Sequence, residues 1–221
     1  AGLLLGCLVY KPQFALVIPP LLLFTRNPRA FAGASASALL LVIATLLAWG
    51  WPVWQAFLDS LPLSRTVLIE AGATGWAKIQ SPFAMIRMWG GAIPFAYAVQ
   101  GLATGAAIVA TLWAARTADP RIRNAAIAAA TLLSTPYVLD YDFVVLGLGA
   151  VFLYAEARRT TFLDYEKAAL AYIWVAPWFG RQAAEIAYLP LLPVSMLVLA
   201  ALAYRRAMSG SADPAPVLPK T

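Results

Sequence analysis

Phe31 to Gly50 is a run of twenty residues without a single charge. At about 1.5 Å rise per residue, a helix of that length crosses the roughly 30 Å hydrocarbon core of a bilayer. Phe95 to Ala115 repeats the pattern. A bilayer admits only structures whose backbone polar groups are satisfied internally, so uncharged runs of this length predict helices. Composition agrees: 62% of the 221 residues are hydrophobic, 12% are charged, and mean hydropathy is +0.75. A soluble domain carries about twice that charged fraction. The expected fold is all-α, a polytopic transmembrane helical protein.

Further apolar runs cover Ala125 to Leu133, Phe143 to Tyr154, Ala168 to Phe179 and Ile186 to Tyr204. They are short and imply broken crossings or crossings that extend through semi-polar flanks. The run Gly2 to Phe24 is interrupted at Lys11-Pro12-Gln13. Proline removes a backbone donor and restrains its predecessor, so two short helices should meet there at a polar point. Gly101 and Gly105 are spaced to allow close helix packing. Residues 51–92, with three prolines and Arg65, Glu70, Lys78 and Arg87, read as a large loop lying on the membrane surface. Trp54, Phe57, Leu58 and Leu61 recur in it at helical spacing, as in a surface helix. One domain should span 1–206, followed by a disordered tail over 207–221.

The net charge of +6 could suggest nucleic acid, but the basic residues fall in short clusters between apolar runs. Membrane orientation requires that distribution. Placing 26–29, 116–123, 157–167 and the tail from 204 on one side gathers 11 of the 16 basic residues there. That side should be cytoplasmic. The 51–92 loop, the turn at 134–142 and 180–185 then share the outer face. With no His and a single Cys, a zinc site of the usual kind has no ligands. A divalent cation held by carboxylates stays open. Cys7 reads as a lipid- or helix-facing thiol, and no Gly-rich phosphate loop or serine elbow is present.

The polar anomaly is Thr135-Pro136-Tyr137-Val138-Leu139-Asp140-Tyr141-Asp142. Carboxylates beside hydrocarbon are expensive unless they reach water, a cation or a polar ligand. Asp140 and Asp142 would diverge on a helix, but in a loop both can reach one sugar or cation. Tyr137 and Tyr141 add ring faces suited to sugar C–H surfaces. The opposing reading is a solvated turn broken by Pro136. Lys11 is either an interfacial anchor or a partner for a lipid phosphate or Asp140, with the Gln13 amide beside it. Arg65, Lys78 and Arg87 are phosphate candidates that read equally as ordinary loop residues.

The Lys11-Pro12-Gln13 break, followed by an apolar helix and Arg26-Asn27-Pro28-Arg29, resembles bacterial glycosyltransferase family 87. So does the stretch Leu133-Ser134-Thr135-Pro136-Tyr137-Val138-Leu139-Asp140-Tyr141-Asp142. The resemblance implies a C-type transferase similar to polyprenyl-phosphate-mannose-dependent mannosyltransferases of the inner membrane. It implies a polyprenyl-phosphate sugar donor in the bilayer and a lipid-linked or cell-envelope glycan acceptor, handled at the outer face. Such enzymes carry the catalytic aspartate in an early large outer loop. That loop is not recognisable here, so the expectation is a C-terminal fragment, inactive alone, with Asp140 and Asp142 binding rather than catalysing. The rival class is a secondary transporter or a flippase of a lipid-linked sugar, which also uses broken helices and intramembrane charges.

The charge distribution makes a topological prediction. In a Cys7-free background, Asp119→Cys and Arg158→Cys should label from the cytoplasm and cysteines placed in 51–92 from outside. Labelling of both sets from one side would overturn the arrangement.

Overall fold

The computed structural model describes residues 2–116 and 119–210, and within them the protein is helical with no strand. The first run is broken where Lys11 stands. Helix α1 (Gly2–Gly6) passes into a 3₁₀ turn, Cys7–Tyr10. Lys11 adopts φ −131°, ψ 72°, and a second 3₁₀ turn, Pro12–Ala15, leads to α2 (Ile18–Phe24). α1 lies against α3 (Pro28–Leu63) through small residues. A Cβ at Gly2 would lie 2.4 Å from the Ala30 carbonyl oxygen, and one at Gly6 2.0 Å from Ser37 Oγ. Ser37 Oγ in turn donates to the Leu3 carbonyl at 2.7 Å. Gly2 and Gly6 are therefore close-packing glycines, as are Gly149 and Gly180 further along the chain, where a Cβ would lie 2.5 Å from the Leu199 and Leu192 side chains. Gly101 and Gly105, expected in that role, face open space on the helix Ile93–Ala114.

The stretch 51–92 departs from the expected loop. α3 breaks at Gly50 (φ 75°, ψ 177°) and resumes at once, because Pro52 falls in the first turn of the new segment, where its missing N–H costs nothing. Helix then continues to Leu63 and on as a π-helix, Ser64–Glu70. The π spacing stacks residues five apart, and Arg65 Nε meets Glu70 Oε1 at 2.8 Å. Only residues 71–81 are irregular before α4 (Pro82–Met88).

The bundle is α5 (Ile93–Ala114), α6 (Pro120–Leu133), α7 (Val144–Arg159), α8 (Glu166–Ala187) and α9 (Leu191–Gly210). By length and composition, 28–70, 93–114 and 191–209 can cross a membrane. α6 is the centre, with α5, α7 and α9 packed around it. Five of its alanines and Leu132 and Leu133 are buried, since methyl-sized side chains let three neighbours approach one helix. Leu146, Leu153, Leu192, Met196 and Leu199 close the core. α8 runs through Arg181 and Glu185, where the sequence suggested a turn. The two pair at 2.9 Å one helical turn apart, and the chain reverses only at left-handed Tyr188, before Pro190. The last crossing therefore starts at Leu191 rather than Ile186. α9 also takes in 207–210 of the expected tail, whose remainder lies outside the described residues.

Polar side chains collect at the two ends of this bundle. At one end Arg159 bridges Asp119 (2.8 Å) and Glu156 (2.7 Å). Burial opposes ionisation of Asp119. The Arg121 backbone N–H, a side-chain hydrogen bond with Glu156 and the Arg159 and Arg121 charges outweigh it, and hold the carboxyl below its usual range. At the same end Arg206 donates to both oxygens of Glu166, at 2.6 and 2.5 Å, and to the Thr161 carbonyl. Both side chains of that pair are buried.

Removing one partner of a buried pair leaves an uncompensated charge, at a cost of about 3–5 kcal/mol. Glu166→Ala should therefore lower the unfolding midpoint in detergent sharply, whereas Arg65→Ala, at an exposed pair, should barely move it. Equal small shifts would contradict this account of the α8–α9 end.

Candidate functional site

At the opposite end, α6 stops at Ser134 and Pro136 prevents it from continuing. Thr135 Oγ1 accepts the Tyr137 N–H at 3.1 Å and tightens the turn. Leu139 is extended and forms an antiparallel bridge with Ile79, while Gln80 donates its N–H to the Val138 carbonyl at 2.8 Å. Tyr137 is half-buried against Ile79, Ala84 and Leu139. The 71–81 segment is thus held directly on the acidic turn. A 3₁₀ turn, Asp140–Phe143, then starts α7.

Asp142 is buried and both its oxygens are occupied. Oδ2 accepts the Leu139 N–H at 3.0 Å, and Oδ1 meets Lys11 Nζ at 2.5 Å. The Lys11 ammonium sits among three rings, with centroids at 4.7 Å (Tyr141), 5.3 Å (Phe14) and 5.9 Å (Tyr10). Aromatic faces stabilise a cation away from bulk water. The broken first run and the acidic turn, 131 positions apart, are joined here.

Asp140 is less constrained. Its Oδ1 accepts the Tyr141 N–H at 2.9 Å, and Oδ2 lies 3.5 Å from Arg181 Nη1, beyond a good hydrogen bond. Its side chain is 28% exposed against 6% for Asp142, so Asp140 is the carboxylate with free acceptor capacity. Of the roles open to Lys11 in the sequence (interfacial anchor, partner of a lipid phosphate or partner of Asp140), the acidic one falls to Asp142 instead, because the 3₁₀ turn points the two acids apart and brings Asp140 toward Arg181. Gln13 is half-buried and its amide has no hydrogen bond among the described residues.

The loop cations separate. Lys78 adjoins the Ile79–Leu139 bridge without an ion-pair partner among the described residues. Arg65 and Arg87 converge on Glu70 instead. Arg87 donates to the Glu70 carbonyl at 3.2 Å and the Gly91 carbonyl at 2.6 Å, with its guanidinium 5.3 Å from the Trp76 ring centre. Glu70 also accepts the Tyr97 hydroxyl at 3.0 Å. Arg87 thus closes the 71–91 segment, while Arg65 pairs with Glu70 from an exposed position.

Two participants went unnoticed in the sequence. Arg181 looked like part of a polar turn. Gln100 is a lone amide inside an apolar run, which was the available signal. It accepts the Phe83 N–H at 3.2 Å and donates to the Leu133 carbonyl at 2.9 Å, tying α4, α5 and the end of α6 together under the acidic turn. Among the described residues no three His, Cys, Asp or Glu side chains gather as a metal site.

The arrangement offers one cation in an aromatic cage, one exposed carboxylate and ring faces at the end of a membrane bundle. A family model described as Glycosyltransferase family 87 matches residues 1–138, which takes in Lys11 and stops two residues short of Asp140. No curated protein and no solved structure matches the chain.

Proposed function

The chain belongs to glycosyltransferase family 87, which implies glycosyl transfer between a sugar donor and a glycan or lipid acceptor, and on that premise we propose how its acidic turn takes part. The donor is a polyprenyl-phosphate sugar, mannose in the first instance, entering sideways from the inner membrane in the manner of a C-type enzyme. The observation that carries this reading is Lys11. A caged ammonium beside a buried carboxylate, at the end of a broken helix in an apolar chain, suits a lipid phosphate and needs no nucleotide pocket.

In the transfer, an acceptor hydroxyl oxygen attacks the anomeric carbon as the carbon–oxygen bond to phosphate breaks. The hydroxyl proton goes to a carboxylate base, and polyprenyl phosphate departs with the bonding pair. Stabilising charge where it develops on the leaving phosphate is the largest service a protein can give such a step. Lys11 holds Asp142 with one of its three N–H donors and can offer another to that phosphate, with Gln13, whose amide has no partner among the described residues, beside it. Asp140 and the Tyr137 and Tyr141 rings receive the sugar, the acid taking hydroxyls. Both acids act in binding, and the base is assigned to neither. The side bearing the turn is the outer face, for the charge reasons given above.

Transfer from a labelled polyprenyl-phosphate mannose should be measured with the full-length protein in membranes. Lys11→Ala should raise the donor KM about tenfold or more, the worth of a hydrogen bond to a charged group. Asp140→Asn should act chiefly on KM, since a group that binds ground and transition states equally leaves kcat alone. Unchanged kinetics in folded variants would remove the turn from the site. Movement of the lipid-linked sugar across sealed vesicles without covalent transfer would select a flippase instead.

A further inference from the structure

A second feature lies at the arginine-rich end of the bundle, away from Lys11. Between α7 and α8 runs a cavity of about 650 Å³, open along the side of the helices. That is within the range of small-ligand pockets, ~300–1,000 Å³. Val151, Leu170, Trp174 and Val175 form its apolar length. Trp174 is 58% exposed and Val151 52%, so this surface is uncovered in the protein.

The mouth has a different chemistry. Tyr154 and Phe162 flank it, and Arg158 and Lys167 stand on them. Arg158 donates to the Tyr154 hydroxyl at 3.2 Å, and the Lys167 ammonium is 4.9 Å from the Phe162 ring centre. Neighbouring arginines have acidic partners: Arg159 has Asp119 and Glu156, Arg206 has Glu166. Arg158 and Lys167 have no carboxylate partner among the described residues. Two uncompensated cations therefore close one end of an apolar groove. Their separation from Asp142 is nearly the length of α7, sixteen residues or about 24 Å.

We infer that this groove holds an anionic phospholipid, one acyl chain lying along Trp174 and its phosphate bound between Arg158 and Lys167. The charge complements a phosphate, and basic pockets between membrane helices hold lipid headgroups in this way. The apolar length behind the cations selects a lipid over a free anion, because a soluble phosphate would leave that surface bare. The site is independent of the sugar-transfer reading.

Native mass spectrometry of the full-length protein in a neutral detergent tests the assignment, with dioleoyl phosphatidylglycerol and dioleoyl phosphatidylcholine as probes. The expected result is preferential retention of phosphatidylglycerol. Arg158→Gln with Lys167→Gln should weaken it about 25-fold, at about fivefold per cation near a membrane surface, and leave phosphatidylcholine unchanged. Ala171→Trp, which fills the groove and keeps both charges, should abolish retention as well. If the paired glutamines lower the unfolding midpoint, the charge-retaining pair Arg158→Lys, Lys167→Arg decides, and it should keep the preference. Equal retention of the two lipids, or a preference that survives loss of both charges, overturns the proposal. So does Ala171→Trp without effect together with Arg158-dependent binding of inorganic phosphate, which marks a free-anion site. Displacement of phosphatidylglycerol by polyprenyl phosphate alone would reassign the groove to the donor.

Discussion

An ammonium and a carboxylate 2.5 Å apart, drawn from positions 131 residues apart in a largely apolar chain, set the terms for the rest of this structure. Either charge alone beside hydrocarbon would be strongly unfavourable, and together they hold each other. Every irregularity nearby serves the meeting. Lys11 sits at the one non-helical residue between two 3₁₀ turns, and Pro136 stops α6 so that the chain can present Asp142 from a 3₁₀ turn. The ladder contact from Ile79 and Gln80, and the Gln100 amide beneath, fix the turn's position. Function enters through the same features, because broken backbone in a membrane is tolerated where it is buried or lines a polar cavity.

The other end of the bundle solves a different problem with the same physics. Arg206 and Glu166 are fully enclosed, and their remaining valences go to Thr160, Thr161 and Leu163. That pair and its partners form a closed network. At the Lys11 end, Asp140 and the Gln13 amide keep acceptor and donor capacity, and a satisfied network would have no use for them. The contrast separates a pair wholly spent on the fold from groups that keep hydrogen-bonding capacity.

Much of this was legible in the sequence because bilayer physics leaves few choices. Uncharged runs near Phe31 and Phe95 became helices, and Pro12 and Pro136 broke the chain where an unpaired backbone could be accommodated. The family resemblance rested on the Lys11 break and the acidic turn, and the family match covers the first and reaches the second only as far as Val138, short of both acids. What stayed hidden depended on side-chain direction. The choice of Asp142 over Asp140 follows from a single 3₁₀ turn, which spacing does not encode. The helical spacing of Trp54 to Leu61 was legible, but its prolines hid the extent of the helix: Pro52 falls in a first turn, where a helix tolerates it, and Pro62 is accommodated in the interior just before the π-helical turn. Gly101 and Gly105 had the right spacing, but no described residue faces them closely; Gly2 and Gly6 pack against Ala30 and Ser37, and Gly149 and Gly180 against Leu199 and Leu192.

The central claim is that Lys11 and Asp142 are energetically one unit. A double-mutant cycle measures that directly: unfolding free energies in detergent for Lys11→Met, Asp142→Asn and the pair, in the full-length protein. Direct contact predicts that the double variant loses less than the sum of the singles, with a coupling energy of about 1 kcal/mol or more. Losses that add to within about 0.3–0.5 kcal/mol would mean that the two residues do not interact, and would contradict the account.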